Sequence, residues 1–151
     1  MSDKQNKSAE ENISDLSFFL RLTTIQATVT RRLDNALSNV HGISFVEYMV
    51  LHHLHHAAGD RLRRGELAER IGLTASGITR MLLPLEKLGY VARETDARDA
   101  RVGYVTLTKG GKRLYADSAI SANAIANEVA APLTSEQVKL IYVLMGKLTG
   151  S

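Results

Sequence analysis

The chain has 151 residues, 44% of them hydrophobic, which suits one domain with a real core or a small domain with helical extensions. It has no cysteine, and this excludes disulfides, thiolate metal sites and cysteine redox switches. No apolar run approaches the roughly 20 residues that span a bilayer. The polar N-terminus lacks the apolar stretch of a signal peptide. We therefore expect a cytoplasmic protein that does not contact a membrane.

Charge is distributed unevenly along the chain. The segment from Arg61 to Arg113 contains 12 Lys/Arg and 6 Asp/Glu, a net charge of +6, whereas the remainder contains 7 basic and 10 acidic residues, or −3. A local excess of positive charge is typical of a surface that binds a polyanion. The middle third of the chain is therefore the candidate surface for such a partner.

The N-terminal third is predicted to be helical after a polar tail. Residues 1–12 read as a disordered tail. Apolar residues recur at helical spacing over residues 14–40 and predict one uninterrupted helix roughly 40 Å long. Gly42 ends this helix, and Ser44 can cap a second helix that reaches about Ala57.

The middle of the chain contains short elements. A short extended piece is predicted at residues 61–63, followed by two short helices at about 65–71 and 74–88. The runs 90–95 and 102–107 then predict a β-hairpin, because the second run alternates apolar and polar residues with period two.

The C-terminal third returns to helix. Thr108 can cap a helix over residues 109–130, Pro132 breaks it, and Thr134 begins a final amphipathic helix. The first helix and the last two carry more apolar surface than the small middle segment can cover. A second copy of the chain is their natural partner, so a homodimer is predicted.

The strongest local pattern is a helix-turn-helix, in which two short helices cross at a steep angle. Ala68 is small where the helices approach, Gly72 can adopt the positive φ of the turn, and Ile78 can fill the space between the helices. The other inward positions are also apolar: Leu67, Ile71 and Leu73. Taken alone, this pattern also fits a helical hairpin that only packs.

The second helix of this pair begins with short polar side chains, one arginine and no acid, over residues 74–80. Thr and Ser can reach phosphates or base edges in a major groove, and Arg80 can contact guanine. Pro84 lacks the N–H that would bond to the carbonyl of Arg80, so a kinked or loosened helix is predicted there.

The hairpin tip alternates acids with arginines over residues 96–101. An arginine such as Arg98 can enter a narrow minor groove, where negative potential is concentrated. Asp96, two residues earlier, can hold its guanidinium by a bidentate salt bridge. The alternative is an ordinary solvated loop.

The run from about Glu66 to Arg113 resembles the MarR family of regulators. Its D-x-R-D-x-R tip and the following L-T-x-x-G, Leu107 to Gly111, are the most characteristic parts. The resemblance implies an obligate dimer and an Asp96 that orients Arg98 into the minor groove. The matching major-groove residues are Thr74, Ser76, Gly77, Thr79 and Arg80.

Two further arginine positions follow from the resemblance. Arg101 matches the second wing arginine, which either binds phosphate or braces the wing. Arg63 and Arg64 stand where many members have a polar residue, which suggests an added phosphate contact and leaves the cap of the following helix open.

Family members often release DNA when a small anionic aromatic compound enters a crevice beside the dimer arms. Such an aromatic or anionic effector is a predicted partner here, although the candidate wall residues could equally be simply packed. Those residues are Phe18, Tyr48, His52 and Tyr115.

Histidines 52, 53, 55 and 56 invite a metal interpretation, because His52 and His56 lie four apart on one helix face. No carboxylate or cysteine lies close in sequence to complete a ligand set. Neither a metal nor another cofactor is therefore predicted. An alternative role, shared with His41, is a pH- or ligand-sensitive element.

The predicted fold is mainly α with a small β-hairpin wing (α+β), a winged helix-turn-helix with N- and C-terminal dimerisation helices. The corresponding divisions are a tail (1–12), an N-terminal dimerisation helix (13–40), a DNA-binding winged helix-turn-helix (41–108) and C-terminal dimerisation helices (109–151).

The leading hypothesis is a ligand-responsive repressor that binds a pseudo-palindromic double-stranded DNA operator as a homodimer. A winged-helix module for protein assembly is the alternative, and it predicts no steep salt dependence of DNA binding. The chain is not predicted to be an enzyme. The run 109–112 resembles a phosphate loop superficially, but Thr106 replaces the first glycine and Arg113 the final Ser/Thr.

Overall fold

The computed structural model describes residues 13–150, so the predicted tail at 1–12 lies outside the described residues. Helix and strand bounds differ from those predicted from the sequence by at most two residues. In chain order the elements are α1 (Asp15–His41), α2 (Phe45–His55), a 3₁₀ turn (Ala58–Asp60), β1 (Arg61–Arg63), α3 (Arg64–Ile71), α4 (Ala75–Lys87), β2 (Val91–Thr95), β3 (Gly103–Leu107), α5 (Lys109–Ala130) and α6 (Ser135–Thr149).

Local capping explains where several helices begin and end. Gly42 adopts φ 69° and ends α1, as predicted. Ser44 begins α2 through a reciprocal capping box with Glu47. Thr134 and Gln137 form a second capping box at the start of α6. These bonds satisfy backbone N–H groups that have no partner within the helix.

The sheet has three antiparallel strands, with β3 between β1 and β2. The predicted hairpin is present as β2 and β3, and the short extended segment joins it as an edge strand. Leu62 pairs with Val105, and both side chains are buried in the core. The neighbouring residues in each strand therefore point to the outer face of the sheet.

The core is centred on α2, which contacts α1, α3, α4, α5 and the sheet. Val50, Leu51 and Leu54 of this helix are completely buried. Burial of an aliphatic side chain of this size contributes roughly 1.5–3 kcal/mol, so α2 holds the helix-turn-helix, the sheet and the long helices together.

The long helices keep large apolar surfaces exposed. Helix α6 has no buried residue among its 15, and the N-terminal part of α1 exposes Leu16, Phe19 and Leu20. An apolar groove between the two helices is lined by Phe19, Leu22, Tyr142, Val143, Met145, Gly146, Leu148 and Thr149. Among residues 13–150, no helix is both long enough and apolar enough to cross a membrane.

Candidate nucleic-acid interface

The turn of the helix-turn-helix forms as the sequence predicts. Gly72 adopts φ 77°, and the next backbone N–H, of Leu73, donates to the carbonyl of Ala68 at 2.9 Å. Ala68 is buried where α3 meets α4, and Ile78 is completely buried between them. The crossing of the two helices is thus fixed by one left-handed glycine and two apolar side chains.

The N-terminal turn of α4 is exposed but not all of its hydroxyls are free. Oγ1 of Thr74 accepts the backbone N–H of Gly77 at 3.1 Å and lies 3.2 Å from Oγ of Ser76. Oγ1 of Thr79 donates to the carbonyl of Ala75. Arg80 is exposed and makes no ion pair or hydrogen bond within residues 13–150. Thr74 therefore orders the helix start, and Arg80 is the longest free side chain on this turn.

The predicted disturbance at Pro84 does not end α4, which runs from Ala75 to Lys87. The neighbours Leu82 and Leu85 are buried and anchor the helix on both sides of the proline. The carbonyl of Pro84 accepts the N–H of Leu88. Core packing thus outweighs the lost hydrogen bond, which lies beyond the DNA-reading turn.

At the wing tip, the predicted salt bridge between Asp96 and Arg98 is wrong. Oδ1 of Asp96 instead accepts the backbone N–H of Arg98 at 2.7 Å, as in an Asx-turn. Its Oδ2 accepts the hydroxyl of Tyr104 at 3.4 Å. Because the carboxylate is used in these two contacts, it shapes the backbone of the turn and leaves the exposed Arg98 guanidinium without a partner within residues 13–150.

Arg101 braces the wing. Its backbone N–H and its Nε donate to Oδ1 of Asp99 at 3.0 and 3.1 Å. The same backbone and side-chain hydrogen bonds lower the pKa of Asp99 below its ordinary value. Of the two roles left open by the sequence, the structure shows the internal one.

The start of α3 lies beside the wing. Arg63 occupies the N-cap position but makes no capping bond through its side chain, which answers the question of capping raised by the sequence. A shallow cleft brings Arg63 and Arg64 together with Arg101. Hydrogen bonding and charge interaction with Tyr104 raise the pKa of Arg63.

Sequence reasoning missed a contact on the outer face of the sheet. The guanidinium carbon of Arg61 lies 4.5 Å from the ring centroid of Tyr104, a cation–π distance. Both residues lie at alternating positions that face outward once β1 pairs with β3. The period-two pattern was visible in the sequence, but the pairing that brings the two strands together was not.

Three of the four predicted effector-wall residues lie together. The rings of Tyr48 and Tyr115 are stacked with centroids 5.6 Å apart, and Nδ1 of His52 lies 3.1 Å from the hydroxyl of Tyr115. Burial, with a smaller contribution from Tyr115, raises the pKa of Tyr48 to about 12. Phe18 packs edge-on against Phe19 on an exposed part of α1, and no contact places it with the other three.

The histidines of α2 do not form a metal site in the described part of the chain, where no group of three or more candidate ligands is found. Nδ1 of His56 lies 2.9 Å from the carbonyl oxygen of His52, and the two rings are 4.4 Å apart. Burial is the largest cause that lowers the pKa of His52 and His53. His41 lies elsewhere, with Nε2 2.8 Å from Oγ of Ser121.

These features define a class of protein. A helix-turn-helix whose second helix exposes short polar side chains and an arginine is followed by a β-hairpin with an exposed arginine at its tip. This is the arrangement of a winged helix-turn-helix DNA-binding protein.

Comparison with known proteins shows similarity to one family of regulators. Residues 41–102 match the MarR family model. The chain is 28% identical over 123 residues to the HTH-type transcriptional regulator PapX of Escherichia coli, covering 80% of this chain and 75% of that protein. It is similar to Sco3205 of Streptomyces coelicolor, a MarR family transcriptional regulator in complex with DNA, with a TM-score of 0.79, 26% identity and coverage of 91% and 88%.

A mutant MarR of Escherichia coli complexed with operator DNA shares the fold, with a TM-score of 0.76, 24% identity and coverage of 86% and 91%. The matched segment and the fold are thus those of MarR family DNA-binding transcriptional regulators, to which this chain is similar. These relatives are regulators and not enzymes, in agreement with the prediction from the sequence.

Proposed function

We propose that this regulator is a repressor that binds a pseudo-palindromic DNA operator as a homodimer in the cytoplasm and is released by a small effector. Residues 41–108 are the DNA-binding part in this proposal. The single observation that supports it best is the exposed, unpaired guanidinium of Arg98 at the tip of a hydrogen-bonded turn. A fixed backbone with a free cationic side chain suits insertion into a narrow minor groove.

The major-groove part of the proposal rests on α4. The start of α4 carries only small side chains at its DNA-facing positions, those of Thr74, Ser76, Gly77 and Thr79. Arg80 extends from this turn without a partner within residues 13–150. A slim polar helix start of this kind can approach base edges, where an arginine reads guanine by two hydrogen bonds. Arg63 and Arg64, in the cleft beside the wing, are the proposed phosphate contacts, while Arg101 stays paired with Asp99.

The dimer is proposed to form through residues 13–40 and 109–151. Helix α6 contributes no side chain to the core of its own protomer, and its apolar face continues across a groove onto α1. Burying such a face against a second copy is more favourable than leaving it in water. A two-fold dimer would present two copies of α4 about one turn of DNA apart, hence a pseudo-palindromic operator.

The effector is proposed to be a small aromatic or anionic molecule that contacts Tyr48, His52 and Tyr115. These rings lie where α2, the centre of the core, packs on α5, which leads into the proposed dimer arm. A ligand that separates or bridges these rings would change how the DNA-binding part sits relative to the arm. Phe18 is not included, because the structure leaves it apart from the other three.

Replacement of Arg98 tests the proposal. The Arg98→Ala variant should weaken binding by about 1–3 kcal/mol, or roughly 5- to 150-fold. The readout is the anisotropy of a labelled duplex that the unmodified protein selects from a random-sequence library. Lys87→Ala is the matched control, since it removes one positive charge from an exposed position at the far end of α4, outside both the wing and the proposed dimer helices. Equal affinities of the two variants would refute the wing role.

Two further measurements separate the alternatives. Binding by several phosphate contacts requires affinity to fall by orders of magnitude over a few-fold rise in salt, whereas a protein-assembly module would show no such dependence on any duplex. Sedimentation of the free protein should give a dimer, and a monomer at micromolar concentration would contradict the proposed arms.

A further inference from the structure

The outer face of the sheet carries a polar array that the sequence did not reveal. The register places Tyr104 of β3 opposite Arg63 of β1 and opposite Glu94 of β2. Arg61 lies on the same face, two residues before Arg63. One tyrosine is thus surrounded by two arginines and a glutamate, at the base of the wing.

The ring of Tyr104 is held in place from β1. The guanidinium carbons of Arg61 and Arg63 lie 4.5 and 6.0 Å from its centroid. Arg61 is in turn paired with Glu94 across the sheet, at 3.4 Å. Contacts on the ring restrict movement of the whole side chain, and the position of the hydroxyl oxygen at its end is restricted with it.

The hydroxyl points at the carboxylate that shapes the wing. It donates to Oδ2 of Asp96 at 3.4 Å, while Oδ1 of the same carboxylate accepts the backbone N–H of Arg98 at 2.7 Å. The N–H of Asp96 also donates to the carbonyl of Val102 at 3.1 Å, and the N–H of Val102 donates to the carbonyl of Asp99 at 3.0 Å. These bonds and the contacts between Asp99 and Arg101 close the loop, whereas the Asp96 carboxylate bonds the backbone at Arg98 itself. Its orientation therefore contributes to how well the turn at Arg98 is defined.

We propose that Tyr104 is a positioning residue for DNA binding, which acts through Asp96 to fix the wing turn that presents Arg98. The inference rests on the proposed role of Arg98 in DNA binding. A turn that is ordered before the complex forms loses less conformational freedom on binding. Tyr104 supplies that order without itself reaching the DNA.

The test uses the full chain and the selected duplex described above. Tyr104→Phe keeps the ring and its cation–π contacts and removes the hydroxyl, with its bond to Asp96 and its hydrogen bonding to Arg63. We expect an affinity loss of about 3- to 10-fold, because a hydrogen bond to a carboxylate is strong when short but this one is long, at 3.4 Å. Tyr90→Phe is the matched control, because the Tyr90 hydroxyl makes no hydrogen bond within residues 13–150. It should bind like the unmodified protein.

The decisive measurement is the same change in the Arg98→Ala background. If Tyr104 acts through Arg98, Tyr104→Phe should then change the affinity by less than about 2-fold, because coupled residues are not additive. A general loss of stability would weaken both backgrounds equally, so an equal loss would overturn the inference. Binding is compared well below the unfolding midpoint of each variant.

The outcomes also separate this inference from the proposed function. If Arg98→Ala leaves affinity unchanged, the wing role itself is wrong and the inference falls with it. If Arg98→Ala weakens binding but Tyr104→Phe does not, only the inference about Tyr104 is overturned.

Discussion

A methyl group added at Gly111 should destabilise the protein strongly. Gly111 is the last residue of the L-T-x-x-G run and lies in the first turn of α5. It is buried there against Tyr90, the residue just before β2. A Cβ built there would overlap the carbonyl oxygen of Tyr90. It would also lie 3.1 Å from the carbonyl carbon of Tyr90 and 2.6 Å from Cδ1 of Leu107. The first turn of α5 therefore has room for hydrogen only.

The size of the effect follows from what would have to move. Overpacking of a well-packed core costs typically 1–3 kcal/mol when flexible side chains can adjust. Here the overlapped atom is a backbone oxygen that also accepts the N–H of Thr108 at 3.2 Å, so relief would break the junction between β2 and α5. We expect Gly111→Ala to lower the free energy of unfolding by about 3 kcal/mol. For a chain of this size that corresponds to roughly 6–12 °C in the melting midpoint.

Gly110 provides the control in the adjacent position. A Cβ there would be no closer than 3.7 Å to any neighbouring atom, which is ordinary contact. Gly110→Ala should be neutral or stabilise the protein by up to about 1 kcal/mol, because alanine favours helix. Both variants are melted at one protein concentration, since the proposed dimerisation would make the midpoint depend on concentration. Equal midpoints for the two variants would refute the steric argument.

Two other predictions concern the same junction and the histidines. Thr108→Val removes the hydroxyl that accepts the backbone N–H of Gly111 and donates to the carbonyl of Gly89 at 2.6 Å. Urea unfolding should show that the free energy of unfolding falls by about 1–2 kcal/mol. A Thr108→Ser variant that is no more stable than Thr108→Val would contradict this. Burial lowers the pKa of His52 and His53 below the ordinary value of 6.5, so the folded chain binds fewer protons than the unfolded chain. Stability is therefore complete above about pH 6.5 and is lost as pH falls through that value towards the lowered pKa. The melting midpoint should fall less on acidification in His53→Gln than in the unmodified protein, and an identical pH profile would show that this histidine does not contribute.

Much of the fold could be predicted from the sequence because its signals are local. The cap at Ser44, the left-handed glycine at position 72 and the cap at Thr108 each involve residues within four positions of one another. Local hydrogen bonds of this kind leave a readable pattern of residue types. Apolar spacing then supplied the helices between the caps.

The parts that failed depend on residues distant in sequence or on competing local bonds. Phe18 and Tyr115 are almost a hundred positions apart. Apolar periodicity shows which face of the 27-residue helix α1 is apolar, but not which part of its length lies beside Tyr115. The sequence predicted that Asp96 pairs with the guanidinium of Arg98. The carboxylate bonds the backbone N–H of Arg98 instead, and this bond does not immobilise the arginine side chain. The contact between Arg61 and Tyr104 required the register of an edge strand, which no local pattern specifies.

Internal ion pairs refine what the positive charge of the middle segment means. Four of its nine arginines are paired with nearby carboxylates: Arg61, Arg70, Arg93 and Arg101. Within residues 13–150, the five that make no ion pair are Arg63, Arg64, Arg80, Arg98 and Arg113. Exposed pairs add little stability, but each one must be given up before its arginine can bind a phosphate. Of the five arginines that the sequence assigned to DNA binding, all but Arg101 belong to this unpaired group. The carboxylates of this segment thus leave its unpaired arginines at the start of α3, the turn of α4 and the wing tip, together with Arg113 in α5. Lys87 and Lys109 also make no ion pair within residues 13–150. The arginine distribution favours the proposed interface over a diffuse attraction to any polyanion.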